Sequence, residues 1–518
     1  MTPIHINGND LSLQDFAQIV LERRPVILEP AARQAVERAR AVVDDLVEND
    51  RMAYAITTGV GKLADVRISG KEVRELQINL VRSHAVGVGE PLSETESRAM
   101  MLLRANSLAK GFSGIRPIVI DTLCEMLNRG VHPVIPSQGS VGASGDLAPL
   151  SHQALVLIGE GEAFYDGKRM NASEALKKAD IKPITLEAKE AISLINGTQA
   201  MLAVGALSML QAEILADTAD VLGAITLDAL HGTDVAFDER IHRVRPHSGQ
   251  LTVAANLRRL LANSEMRESH RDCKRVQDAY SLRCIPQVHG AVRDTLAHAR
   301  AVFEVEMNSA VDNPLVFVKE KKVGEKPPVP GQAVLGDILS GGNFHGEPLA
   351  FALDFMAIAL TALAGISERR IERLVNPALS EGLPAFLAPG AGLNSGFMMP
   401  QVTAAALVSE NKVWAHPASV DSITTSGNKE DFVSMGMTSA IKLRKVIANT
   451  RFVLAIESLA CAQAVDFLAP LKPSKACQQA LTAIRNVSPN MDHDRSLAPD
   501  FVKVADVIAR GEIAAVLR

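Results

Sequence analysis

Read for its apolar and polar positions, the chain is a succession of long helical stretches broken by short islands of glycine and polar residues. Ser12 stands before LQDFAQIVLERR with Asp15 three residues on, the spacing of an N-terminal cap ahead of an amphipathic helix. The stretch 31–47 is rich in Ala, Arg and Val at helical spacing and stops at a polar END. From residue 200 the run AMLAVGALSMLQAEILADTADVLGAITLDAL is too long for a strand and apolar nearly all round. That pattern predicts a helix buried inside a bundle. The stretches 287–310, 346–374, 401–414 and 441–464 repeat it. Strand-like runs are few and short, at 26–28, 53–57 and 315–318. The prediction is a mainly α fold, a long-helix bundle with a smaller mixed N-terminal region. The division is expected near residue 200, with small-residue loops over 1–200 and the helix-bundle domain over 201–518. The charged segment 318–334, with three prolines, is expected to be an exposed loop.

Composition supports helices and narrows the partners. Aromatic residues are only 4% of the chain, so the core must be packed with Ala, Leu, Val, Ile and Met, which lose little rotamer freedom in helices. A formal net charge of −5 provides no positive field to attract nucleic acid or anionic membranes. The most apolar stretch, 350–366, contains Asp354 and is short for a membrane span, so it is expected to be a buried helix. Five scattered cysteines without CxxC pairs point neither to a metal site nor to a disulfide framework. With no secretory signal in the opening residues, the expectation is a cytoplasmic protein.

Candidate chemistry sits in the islands between helices, because loops on a rigid scaffold commonly carry function. GSVGASGDLAPLSH places Ala143, Ser144 and Gly145 beside Asp146; alone it would read as a turn. AYAITTGVG contains Tyr54, whose phenol can act as a base where donors or positive charge favour ionisation. RSHAVGVGEPL holds Ser83 and His84, and LINGTQA holds Asn196 and Gln199. VQDAYSLRC spaces Gln277, Tyr280 and Arg283 by three, which predicts one helical face, with an arginine able to grip a carboxylate or to serve as an ordinary ion-pair partner. SGGNFHGEP carries Phe344, NSGFM carries Met398, and TTSGNKEDFVSM carries Glu430. No P-loop, GxGxxG, HExxH or GxSxG motif occurs, which leaves nucleotide, zinc-hydrolase and serine-hydrolase readings unsupported.

Taken together, these islands and their order resemble the ammonia-lyase family that acts on histidine, phenylalanine and tyrosine. The resemblance spans the chain from Tyr54 to the Glu430 motif. It implies that Ala143, Ser144 and Gly145 cyclise and lose water to give a methylidene-imidazolone, an electrophile made from the chain itself, with Asp146 supporting the loop. No metal or nucleotide is implied. By the same resemblance Tyr54 removes the β-proton, Arg283 holds the substrate carboxylate, and Asn196, Gln277, Tyr280 and Phe344 surround the group and substrate. It further implies an amino acid as the small-molecule partner and a homotetramer whose subunits share active sites.

Ser83-His84, Glu430 and Met398 match the histidine-acting branch, where aromatic-specific relatives carry Phe-Leu or His-Leu and a glutamine. An imidazole offers a donor and an acceptor that His84 and a carboxylate can satisfy. The expected reaction is therefore elimination of ammonia from L-histidine to give trans-urocanate. A lyase or aminomutase for phenylalanine, tyrosine or a modified histidine is the alternative, and an inactive helical scaffold is the reading from a different class. Four departures bear on the choice. Lys429 and Phe432 replace the usual Gln and His, Ala279 replaces a common proline, and the 318–334 loop is longer than typical. Lys429 is placed to pair with Glu430.

Overall fold

The structure, a computed structural model, describes residues 2–49, 51–63, 65–69, 72–273, 275–319 and 335–517. Most of the predicted 318–334 loop therefore lies outside the described residues. Among those described, nineteen α-helices and nine short strands follow one another. The longest helices, Gln199–Ala229, Ile285–Met307, Glu347–Val375 and Gly436–Phe467, fall on the stretches predicted from periodicity. Ser12 caps Leu13–Val20, its hydroxyl accepting from the Asp15 N–H at 3.0 Å. Gln199–Ala229 and Glu347–Val375 are long and apolar enough to cross a membrane, but 72% and 61% of their apolar windows are buried within the protein. They are core helices.

Two compact units divide the chain. One takes Met1–Leu207, Arg300–Leu353 and Pro417–Ile441, and the other takes Ser208–Ala299, Asp354–His416 and Lys442–Arg518. The first change of unit falls after Leu207, and the chain then returns to the first unit twice.

The first unit holds all nine strands. Ile4–Ile6 pairs with Val26–Leu28 in parallel, and Leu315–Val318 pairs antiparallel with Gly336–Leu339. Val88–Pro91 pairs with Pro136–Gln138, and Glu162–Tyr165 lies between His132–Pro133 and Lys168–Asn171. The strand expected at 53–57 is instead a run of turns. Ala55 takes a positive φ of 58°, and threonine hydroxyls capture the backbone: Ala53 N–H donates to Thr57 Oγ1 and Ala55 N–H to Thr58 Oγ1, both at 3.0 Å. Such local bonds compete with a ladder. Helix Glu94–Ala109 is buried along almost its whole length, begins with a Ser93–Glu96 capping box, and carries Arg98, Arg104 and Asn106 into the interior.

The second unit is helix on helix. Ala364, Ile371, Ala404, Val453 and Ile456 form one of its apolar clusters. Two of its buried carboxylates are paired: Glu457 with Arg370, and Asp220 with Arg293 and the His289 ring.

Candidate active site

The 139–146 loop is folded back on itself by its own side chains. Ser140 Oγ donates to Asp146 Oδ1 at 2.7 Å and accepts from the Gly142 N–H at 3.2 Å. Asp146 is fully buried at the N-terminus of Gln199–Ala229, where its Oδ2 accepts from the Ala200 and Met201 N–H groups, each at 2.9 Å. A helix N-terminus offers such unpaired N–H groups to an anion. Burial pushes the Asp146 carboxyl up to about 6, against the pull of those bonds and of the nearby Arg104 charge. Gly145 takes φ +69°, and a Cβ there would lie 2.1 Å from the Gly197 carbonyl oxygen. Only glycine fits this approach. Gly145 and Gly197 form an isolated parallel bridge, with Asp146 N–H donating to Gly197 O at 2.7 Å.

Ser144 is held from two directions. Its carbonyl accepts from Asn196 Nδ2 at 2.7 Å, and its hydroxyl donates to Glu430 Oε1. The other Glu430 oxygen accepts from Thr425 Oγ1 at 2.6 Å, and Thr425 N–H donates back to the Glu430 carbonyl at 2.9 Å. Lys429 is exposed and, among the described residues, makes no ion pair with Glu430, so the pairing open from the sequence is not formed. Ala143 packs with Val433 and Met435 beneath. Ser434 Oγ and the Gly346 N–H both donate to Gly142 O, at 2.9 and 3.1 Å. That second bond ties in the segment of Phe344, which is half-buried. Phe432 is 61% exposed and stacks on His345, the ring planes 18° apart.

Tyr54 and His84 lie elsewhere in the same unit. The Tyr54 oxygen accepts from the Gly61 N–H at 3.1 Å, and the ring lines an open cavity of ≈ 410 Å³ with Asp45, Arg51, Asp337 and Ser340. His84 ends helix Val73–His84, its Nδ1 2.8 Å from Leu80 O and 3.0 Å from Ser83 Oγ. Among the described residues neither side chain makes a hydrogen bond to the 143–145 loop.

Gln277, Tyr280, Arg283 and Met398 belong to the second unit. The single helical face expected for the first three is corrected. The helix is only Tyr280–Arg283, and Gln277 precedes it in chain without regular structure. Asp278 accounts for the break, since its carboxylate accepts from the Thr233 N–H at 2.6 Å and from Arg275 at 3.1 Å. Arg283 lies over the Tyr280 ring, 4.6 Å from its centre, and its Nε is buried with no hydrogen-bond partner among the described residues. Gln277 and Arg283 line a cavity of ≈ 490 Å³ with Arg267, Arg271, Arg275 and Asp278. Arg267, Arg271 and Arg275 are already paired with carboxylates, whereas Arg283 keeps its unpartnered Nε, a donor available to a carboxylate. Met398 opens helix Met398–Trp414 and is part-exposed.

Sequence reasoning passed over Ser140, Thr425, Ser434 and Arg104. For Arg104 a signal existed, because a guanidinium inside MLLRANSLA interrupts an apolar helix.

Known proteins bear on this arrangement. A family model described as aromatic amino acid lyase matches residues 11–486. The chain is 73% identical to a histidine ammonia-lyase of Koribacter versatilis (strain Ellin345), over all 518 residues and the full length of both. It superposes on a crystal structure of histidine ammonia-lyase from Trypanosoma cruzi with TM-score 0.90 at 42% identity, covering 100% of this chain and 95% of that one. A tyrosine aminomutase from Streptomyces globisporus gives TM-score 0.91 at 39% identity, covering 99% and 98%. The chain belongs to the aromatic amino acid lyase family.

Proposed function

We propose that this chain eliminates ammonia from L-histidine to give trans-urocanate, using a methylidene-imidazolone formed from Ala143, Ser144 and Gly145. The observation that carries the reading is the clamp on Ser144. Its carbonyl is held by Asn196 and its hydroxyl by Glu430, next to a Gly145 bent where no side chain fits. These residues suit the group, because closure joins the Gly145 nitrogen to the Ala143 carbonyl carbon and needs a tight, side-chain-free bend. The group supplies an electrophilic carbon for the substrate amine, which no ordinary side chain offers.

The chain's own residues do the rest. Arg283, whose buried Nε has no hydrogen-bond partner among the described residues, binds the substrate carboxylate and fixes its orientation. Glu430 and His84 accept from and donate to the imidazole. Tyr54 takes the β-proton, and Gln277, Tyr280, Phe344 and Met398 wall the substrate. Tyr54 and Arg283 serve this site within a cytoplasmic homotetramer whose subunits share active sites. Exposed apolar side chains such as Val276, at 92%, and Phe432 are in keeping with such an assembly.

A second reading has support from the likeness to the tyrosine aminomutase: the same loop would return the amine to the β-carbon. Product identification after separate incubation with L-histidine, L-phenylalanine and L-tyrosine separates the two. Urocanate from histidine alone is expected. A β-amino acid, cinnamate or coumarate as main product would overturn the proposal.

A further inference from the structure

We propose that Arg104 is a positioning residue for closure of the 143–145 loop, its guanidinium fixing the 196–199 turn against which that loop is bent. The inference rests on the self-formed group proposed above. Arg104 is fully buried, and taking a guanidinium out of water is costly unless its donors are satisfied. Burial lowers its pKa to about 10, which still leaves a cation at neutral pH. Yet among the described residues no carboxylate is bonded to it. Nη1 donates to Ser193 O at 2.5 Å and Asn196 O at 3.1 Å, and Nη2 donates to Asn196 O at 3.0 Å and to Gln199 Oε1. Every one of these bonds lands on one seven-residue stretch, 193–199, and Nε has no hydrogen-bond partner among the described residues.

That stretch is what the loop leans on. Asn196, whose carbonyl Arg104 grips with both nitrogens, aims its side chain at Ser144 O. Gly197, the next residue, bridges Gly145 and accepts from the Asp146 N–H. Gly197 is also moulded to the arginine: a Cβ on it would lie 1.9 Å from Arg104 Nη2. The guanidinium thus holds the turn from one side while the loop closes on the other. A lysine has one nitrogen and no planar fork, so it cannot set two separate nitrogens on Ser193 O and Gln199 Oε1 as the guanidinium does.

Closure itself needs no oxidant or reductant. The Gly145 nitrogen bonds to the Ala143 carbonyl carbon, and the Ala143 oxygen leaves as water with the amide hydrogens of Ser144 and Gly145. The Ser144 hydroxyl then leaves as a second water with the Ser144 α-hydrogen. What the fold must contribute is the bend, and holding reacting atoms in place is where a large gain in rate lies.

The test is the intact mass of the purified full-length chain, read beside its thermal melt. The wild type is expected to be lighter than its sequence by two waters. Arg104→Gln and Arg104→Lys should melt cooperatively, yet at matched times after synthesis contain at least tenfold fewer chains lacking both waters. Arg98→Gln is the control. It removes a second buried arginine from the same helix, one that donates to Ile19, Val20 and Leu127 carbonyls, and it should mature as the wild type does. Full loss of both waters in folded Arg104→Lys or Arg104→Gln overturns the inference. So does failure of both to fold, which would assign Arg104 to stability alone. A wild-type chain at full sequence mass instead overturns the proposed function, and this inference with it.

Discussion

Glu430 is reached by two hydroxyls, Ser144 on one oxygen and Thr425 on the other, and that pair defines its direction. A carboxylate accepts both without reorganising, whereas an amide must turn its NH₂ toward one donor. Replacing Glu430 with Gln is expected to lower kcat/KM for histidine at least ~100-fold, roughly 3 kcal/mol, in line with loss of a charge-assisted bond in a shielded site. The melting temperature should stay within about 2 °C, because the residue is only partly buried at the surface of its unit. Urocanate formation within threefold of wild type would exclude a role for its charge. Glu430 was legible in the sequence because it stands in a recognisable motif. Its partners were not, since Thr425 and Ser140 are ordinary hydroxyls whose importance comes from what lies opposite them.

Helix Gln199–Ala229 and the loop before it depend on one another. The helix N-terminus supplies two N–H groups to Asp146, and the turn ahead of it presents Gly197 to Gly145. Substituting Gly145 with Ala places a methyl 2.1 Å from the Gly197 oxygen at a positive φ, so the bridge has to open. The expected result is a chain that keeps both waters by intact mass and loses roughly 1–3 kcal/mol of stability, the scale of one strained or displaced buried contact. A chain that matures normally would refute the bend. Helix extents were readable from the 3.6-residue period, because burial of one face sets both. The turns at 53–57 were not readable. Alternating Ala, Ile and Thr suit a strand, and only the capture of backbone groups by Thr57 and Thr58 decides otherwise.

Across the whole molecule, buried ionisable groups decide how stability responds to pH. Asp228 is fully buried, with Ser264 Oγ donating to one oxygen at 2.7 Å and the other oxygen unpartnered among the described residues. Burial, outweighing that bond, pushes its carboxyl up to about 7. Between about pH 4 and pH 7 the folded chain therefore holds this proton more tightly than the unfolded chain. Stability must then fall as pH rises through that window, with the full penalty present above about pH 7. Asp228→Asn removes the charge and keeps an acceptor for Ser264. It is expected to add on the order of 1–3 kcal/mol at pH 8 and nearly nothing at pH 4. Melts of both chains across that range check it, and an equal effect at the two ends would show that Asp228 does not titrate in the folded protein.

By itself the sequence determined the helical class, the places of the long helices and the candidate tripeptide 143–145. Each follows from local information: the period of apolar residues, the small side chains of a core poor in aromatics, and a chemically distinctive run around Ser144. Only the tertiary structure decided that Asn196, Glu430 and Asp146 meet at that run, that Gln277 leaves the helix of Tyr280 and Arg283, and that Arg104 lies beneath the 196–199 turn. The bond between Ser144 and Glu430 joins residues 286 positions apart. Such a meeting depends on how the chain returns to one unit twice, and no periodicity records that path.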